Sequence, residues 1–169
     1  MWIGCSSAVP AGGHLAAATV LTLQRPENPE PVSFIGALLD CGAYDLRLSP
    51  SAAAATEETL ILTRSWLDGL MELGFLDLQA ADLTDPVLSP IYGDLTAFPP
   101  TLLTVGQLDP LRDDSIILAA HLRLAGRDAA LDVWPEAPYA FTSFPWAFAE
   151  LALARTVLWI NDLLVNVQR

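Results

Sequence analysis

The sequence predicts an α/β fold with about three to four mainly parallel strands flanked by helices. Three observations carry this. Short runs of apolar, β-forming residues recur at Ser33–Leu39, Thr101–Val105 and Ala129–Trp134, each bounded by proline, glycine or polar breakers. Longer Ala/Leu-rich or amphipathic stretches lie between them. Strands joined through helices pair in parallel by right-handed crossovers, and such a sheet needs helices on both faces.

Taken in order, Gly12-Gly13 precedes an Ala/Leu-rich helix over His14–Gln24, stopped at Arg25-Pro26. A proline-rich loop from Pro26 to Pro31 leads into the first strand, whose continuous apolar run fits burial on both faces. A break follows at Ser49-Pro50. Leu60, Trp66, Leu67, Leu70 and Met71 carry helical spacing across Thr56–Phe75, with Glu57 and Glu58 near the start, where the helix dipole favours anions. Loop extends from Asp77 to Pro100. After the strand at Thr101–Val105, Asp109-Pro110 opens a helix that Gly126 closes. Pro135 stops the third strand, and a last helix runs from about Pro145 to Asn166 with only a thin polar stripe.

With 169 residues the chain holds one domain with a sizeable core. A hydrophobic share of 53% signals either a large core or an apolar surface that wants a partner. Trp146–Val165 is interrupted by Glu150, Arg155, Asn161 and Asp162, so it is not a membrane span. No export signal marks the N-terminus, and the cytoplasm is the expected location. Cys5 and Cys41 are expected as two free thiols. A net charge of −12 without a basic run disfavours nucleic acid and anionic membrane surfaces, and leaves small or neutral ligands. His14 and His121 have no metal-like cluster around them, so neither metal nor cofactor is expected.

Four stretches resemble one family in order and spacing: Ala11-Gly12-Gly13-His14-Leu15-Ala16, Ser89-Pro90-Ile91-Tyr92, Leu108-Asp109-Pro110-Leu111-Arg112-Asp113, and Glu136-Ala137-Pro138-Tyr139-Ala140-Phe141. Together they look like the C-terminal half of a hormone-sensitive-lipase-type esterase of the α/β-hydrolase fold, covering about Ala11 to the C-terminus. The first resembles the tail of that family's Gly-Asp-Ser-Ala-Gly-Gly-His turn, which presents the nucleophilic serine between a strand and a helix. The resemblance therefore implies a partial α/β-hydrolase fold. It places Asp109 at the acid position, Tyr139 at the histidine position and Pro10 at the serine position. The family's first half, with its His-Gly-Gly-Gly oxyanion loop and most of the cap, has no counterpart in these 169 residues.

Elementary chemistry agrees. A nucleophile elbow strains its central residue, usually to positive φ, whereas proline is locked near about −65° and carries no hydroxyl. A phenol with an ordinary pKa of about 10 is a poor base at neutral pH. Losing a triad nucleophile or base alone costs on the order of a million-fold in rate. The expectation is a truncated carboxylic-ester hydrolase homologue without catalysis. Two alternatives stay open: a short-chain esterase acting on a small-molecule ester through a substitute nucleophile or partner-supplied residues, and a small-ligand or self-association module. Cys5, Ser6 and Ser7 are the candidate substitute nucleophiles in that case, with His14 as candidate base, against the simpler expectation of a disordered or capping N-terminal segment. A sheet cut before its middle strands also offers an exposed edge for self-association.

Met1–Val9 does not read as a strand, although the family has a buried one there, and residues 1–10 are expected as an aberrant segment ahead of a hydrolase-like part at residues 11–169. If Ile3 to Val9 use GC-rich codons, the same bases read two positions later encode Val-Asp-Arg-Leu-Leu-Val-Gly-Gly, the family's strand and turn approach. A frameshifted or misassembled gene, entered at an internal start and back in the family frame near Pro10, is the corresponding expectation. Asp109 before Pro110 also fits an ordinary helix cap, and a buried Tyr139 satisfied by Asp109 is expected if the family geometry survives. Gly12-Gly13 alone is weak as an anion cradle.

Overall fold

The computed structural model describes residues 2–5, 10–25, 27–30, 32–73 and 82–167. Its element order is β1 (Trp2–Cys5), α1 (Pro10–Leu23), β2 (Phe34–Asp40), α2 (Pro50–Ala53), α3 (Arg64–Leu73), β3 (Thr101–Gly106), α4 (Arg112–Leu124), β4 (Ala129–Trp134) and α5 (Ala147–Val167). Single 3-10 turns lie at Pro90–Tyr92 and Phe141–Ser143. The strands form one sheet in the order β1-β2-β3-β4, and every neighbouring pair is parallel.

Strand alternation divides the sheet into two faces. Ala37 and Leu39 of β2 and Leu103 of β3 point to a core closed by Ala17, Val20 and Leu21 of α1 and by Leu118, Ala119 and Leu122 of α4. Gly36 points the other way, where a Cβ would meet Leu163 and Trp159 of α5. Helices thus cover both faces, with α1 and α4 on one and α5 on the other. All six residues of β3 are buried, as a central parallel strand requires.

Several boundaries differ from the sequence reading: the first helix, expected over His14–Gln24, begins already at Pro10 and takes in Gly12 and Gly13. Trp2–Cys5 is a strand, although the N-terminal residues do not read as one. Its four residues are too few for a periodic signal, and their hydrogen bonds come from β2, a partner remote in sequence. The helix expected from Thr56 begins only at Arg64, because turns occupy residues 57–62 and Ile61 sits at φ 66°. Glu57 still serves that helix from a distance: its Oε1 accepts Ser65 N at 2.8 Å and Ser65 Oγ at 2.7 Å, beside the positive end of the dipole. The end expected at Phe75 lies outside the described residues. Ser49-Pro50 is not merely a break, since Pro50 opens α2 in the first-turn position proline tolerates. The helix expected from Asp109-Pro110 starts at Arg112. It runs to Leu124 and is closed by Gly126, at φ 74°, where Gly126 N bonds Arg123 O and Arg127 N bonds Leu122 O in a Schellman closure.

Candidate active site

In a parallel sheet the chemistry collects beyond the carboxyl ends of the strands. Asp40 ends β2, and Asp109 follows three residues after β3. The loop after β4 folds over this end: Leu108 N bonds Ala137 O at 2.9 Å, and a Cβ on Gly106 would stand 2.2 Å from that same oxygen. Only glycine permits so close an approach, and it brings Tyr139 into the cluster of Cys41, Ala52, Leu62, Leu67 and Leu111.

Asp109 is 2% exposed and Tyr139 3% exposed. Asp109 Oδ1 accepts Leu111 N at 2.7 Å, a tight turn that fixes the carboxylate on its own backbone. It is not the helix N-cap, a position Leu111 occupies. The expected bond from Tyr139 is absent: Asp109 Oδ2 and the Tyr139 hydroxyl are both buried without a hydrogen-bond partner. The turn has oriented the carboxylate toward Leu111, and the ring of Tyr139 is held by apolar packing. Burial pushes the Asp109 carboxyl up to about 7, against the lowering effect of the Leu111 N–H. Burial likewise raises the Tyr139 phenol, reinforced by Cys41, Asp109 and Asp40. A phenol shifted that way is a still poorer base.

A polar network beside this pair was not anticipated from the sequence. Asp40 Oδ2 accepts Thr142 Oγ1 at 2.6 Å across 102 residues, and Asp40 Oδ1 accepts the Cys41 thiol at 3.0 Å. Burial raises the Asp40 carboxyl, and raises the Cys41 thiol far above its ordinary range, so Cys41 is a buried, protonated thiol. Asp114 Oδ1 accepts Tyr44 N and Asp45 N at 2.7 and 2.8 Å, and Ser49 Oγ donates to Asp114 Oδ2. Asp113 Oδ2 accepts Ser51 N at 3.0 Å. These bonds lock the loop between β2 and α2 onto the start of α4. An Asp-Asp pair after the Asp-Pro of the third motif was the available signal, but its partners stand more than sixty residues away.

The histidines take structural places. His14 Nε2 bonds Leu88 O at 2.9 Å and His121 Nδ1 bonds Ile91 O at 3.3 Å, suspending the Ser89–Tyr92 stretch between α1 and α4. Burial lowers the His14 imidazole, which keeps it neutral near pH 7. Gly13 packs where a Cβ would meet Asp40 O and the Tyr44 hydroxyl at 2.8 Å, which explains a glycine there without any anion. Pro10 is the first residue of α1. Ser6 and Ser7 lie outside the described residues, and Cys5 is described only as the end of β1. Among the described residues no group of three or more His, Cys, Asp or Glu could hold a metal ion.

A family model described as the alpha/beta hydrolase fold matches residues 6–143. The chain belongs to that family, on its hormone-sensitive-lipase side. This α/β-hydrolase chain is 28% identical over 136 residues to a triacylglycerol lipase of Mycobacterium tuberculosis (strain ATCC 25618 / H37Rv), covering 80% of this chain and 23% of the relative. It is 31% identical over 132 residues to an acetyl-hydrolase of Streptomyces hygroscopicus, covering 75% and 40%. A crystal structure of a hormone-sensitive lipase from a metagenome library superposes with a TM-score of 0.78 at 28% identity, covering 90% of this chain and 52% of that one. The α/β-hydrolase chain therefore spans less than half the length of these curated relatives and about half of the solved structure. No helix among the described residues is long and apolar enough to cross a membrane.

Proposed function

We propose that this chain is a carboxylic-ester hydrolase homologue that has kept the family's acid position at Asp109 and lost acyl transfer. One observation carries the reading. Pro10, at the position the resemblance gives to the serine, is the first residue of α1, where the elbow should present a hydroxyl. The unconnected pair of Asp109 and Tyr139 supports it, because no proton path joins the acid position to the histidine position. Cys41, the free thiol at the same end of the sheet, is kept protonated by burial and does not substitute as nucleophile. The two curated relatives act, by their names, on triacylglycerols and acetyl groups, so small-molecule esters are the substrates to try.

Exposure of the purified chain to a fluorophosphonate probe, together with p-nitrophenyl butyrate hydrolysis against an Asp109→Ala control, tests this. The expected result is no labelled residue and no rate above the control. Stoichiometric labelling of any residue, with hydrolysis that the control loses, overturns it and restores the active-esterase reading.

A further inference from the structure

We propose that Asp109 and Tyr139 form a two-donor clamp for a carbonyl oxygen, through which the chain binds a small apolar ketone or ester without turning it over. Both side chains are more than nine-tenths buried, and among the described residues Asp109 Oδ2 and the Tyr139 hydroxyl find no partner. Each unpaired atom costs the free chain stability, which a ligand accepting a hydrogen bond would return. The two groups lie together. Tyr139 packs in one cluster with Leu111, two residues from Asp109, and the charge of Asp109 raises the Tyr139 phenol.

The backbone around them is strained. Cys41 stands at φ 48°, Glu136 at φ 58° and Ala140 at φ 52°, so left-handed non-glycine residues follow Asp40 and bracket Tyr139. Such strain persists only where surrounding contacts impose it, and it collects at ligand clamps. Thr142 Oγ1, donating to Asp40 Oδ2, ties the far end of this loop to β2. Relaxation between Glu136 and Ala140 relieves the strain and admits a ligand to groups that are closed off in the free chain.

The donor set names the ligand. Asp109 Oδ1 already accepts Leu111 N, so the proton of the neutral acid sits on Oδ2. Burial raises that carboxyl to about 7 and keeps the phenol protonated. Two O–H donors call for an oxygen that brings lone pairs and no proton of its own, which is a carbonyl. An ammonium ion would instead need Asp109 ionised among apolar side chains. Cys41, Ala52, Leu62, Leu67 and Leu111 surround the pair and suit a hydrocarbon body. A neutral carboxylic acid beside a phenol is an effective donor pair for a carbonyl in a water-excluded site. The inference rests on the proposed loss of acyl transfer only in that the ligand leaves unchanged.

Titration of the full chain with acetophenone carrying 13C at its carbonyl tests the clamp, because a ketone cannot be hydrolysed. A saturable downfield shift of the carbonyl signal is expected, while α-methylstyrene, with CH2 in place of the oxygen, should bind about tenfold more weakly. Tyr139→Phe should weaken ketone binding about tenfold with an unchanged far-UV circular dichroism spectrum. Asp40 and Cys41 face Asp109 from the end of β2, Asp114 from α4 and Tyr139 from the loop after β4. With the Asp109 carboxyl at about 7, binding to the parent should weaken about tenfold from pH 6 to pH 8 as its proton is lost. Asp109→Asn, whose amide donates at every pH, should flatten that dependence. No saturable shift up to the solubility limit overturns the proposal, as does equal affinity for α-methylstyrene. So does parental affinity in Tyr139→Phe, or parent binding that is flat from pH 6 to pH 8. Hydrolysis of p-nitrophenyl butyrate would sink the proposed function and leave these readouts standing.

Discussion

Asp109 and Tyr139 are both buried at the carboxyl end of the sheet. Each keeps its place, and neither satisfies the other. The Asp109 carboxyl is harder to ionise in the folded chain, at about 7 against an ordinary 3.8. The native state therefore holds a proton that the unfolded chain releases. Its stabilising contribution is complete below about pH 4, falls as pH rises toward 7, and is gone above that. The two values correspond to at most about 4 kcal/mol. Asp40 and Asp114, also raised by burial, act in the same direction. Thermal melts should show a lower Tm at pH 8 than at pH 5. Asp109→Asn keeps the acceptor for Leu111 N and should remove most of that difference; a slope equal to the parent's would show that Asp109 is not its source. Tyr139→Phe deletes an unpaired buried hydroxyl while keeping the ring, and should raise unfolding free energy in urea by about 1 kcal/mol. A loss of that size would mean the hydroxyl has a partner in solution.

At the scale of elements, the loop after β4 is set by how closely it crosses the end of β3. A Cβ at Gly106 would stand 2.2 Å from Ala137 O, a contact with backbone that cannot swing aside. Gly106→Ala should cost about 3 kcal/mol or more and loosen the Tyr139 loop, measurable by urea unfolding and by amide exchange at Leu108. Gly69 in α3 is the opposite case, with nothing within 4 Å of its missing Cβ. Gly69→Ala should stabilise by about 0.5 to 1 kcal/mol. If both substitutions had the same sign, close approach would not be what selects Gly106. The long middle of β2, β3 and β4 was legible because a continuous apolar run between breakers can only be a buried strand or a buried helix, and these are too short for helices. The starts of α3 and α4 were not, because Glu57 and Asp109 act there through turns whose partners are set by the folded chain.

For the whole molecule, the 53% hydrophobic share is only partly explained by the core. Trp66, Leu124, Leu151 and Leu158 are all more than half exposed, and two of these four lie on α5. Such a surface stays dispersed at neutral pH through its negative charge. The sequence pI is about 4.2, so acidification removes that repulsion just where the buried carboxyls stabilise the fold most. Light scattering is expected to rise steeply as pH approaches 4.2 even though the folded state is then at its most stable. Scattering that instead follows loss of native structure would tie aggregation to unfolding and not to charge.

By itself the amino-acid sequence determined the alternation of strands and helices, the parallel pairing it imposes, and the absence of a hydroxyl at position 10, because periodicity and side-chain chemistry are local properties. Only the tertiary structure decided that Asp109 and Tyr139 stay apart, that Asp40 reaches Thr142 and that Asp114 gathers the β2–α2 loop. Each of those depends on which residues distant along the chain arrive at the same point in space, and on whether a buried polar atom finds a partner there.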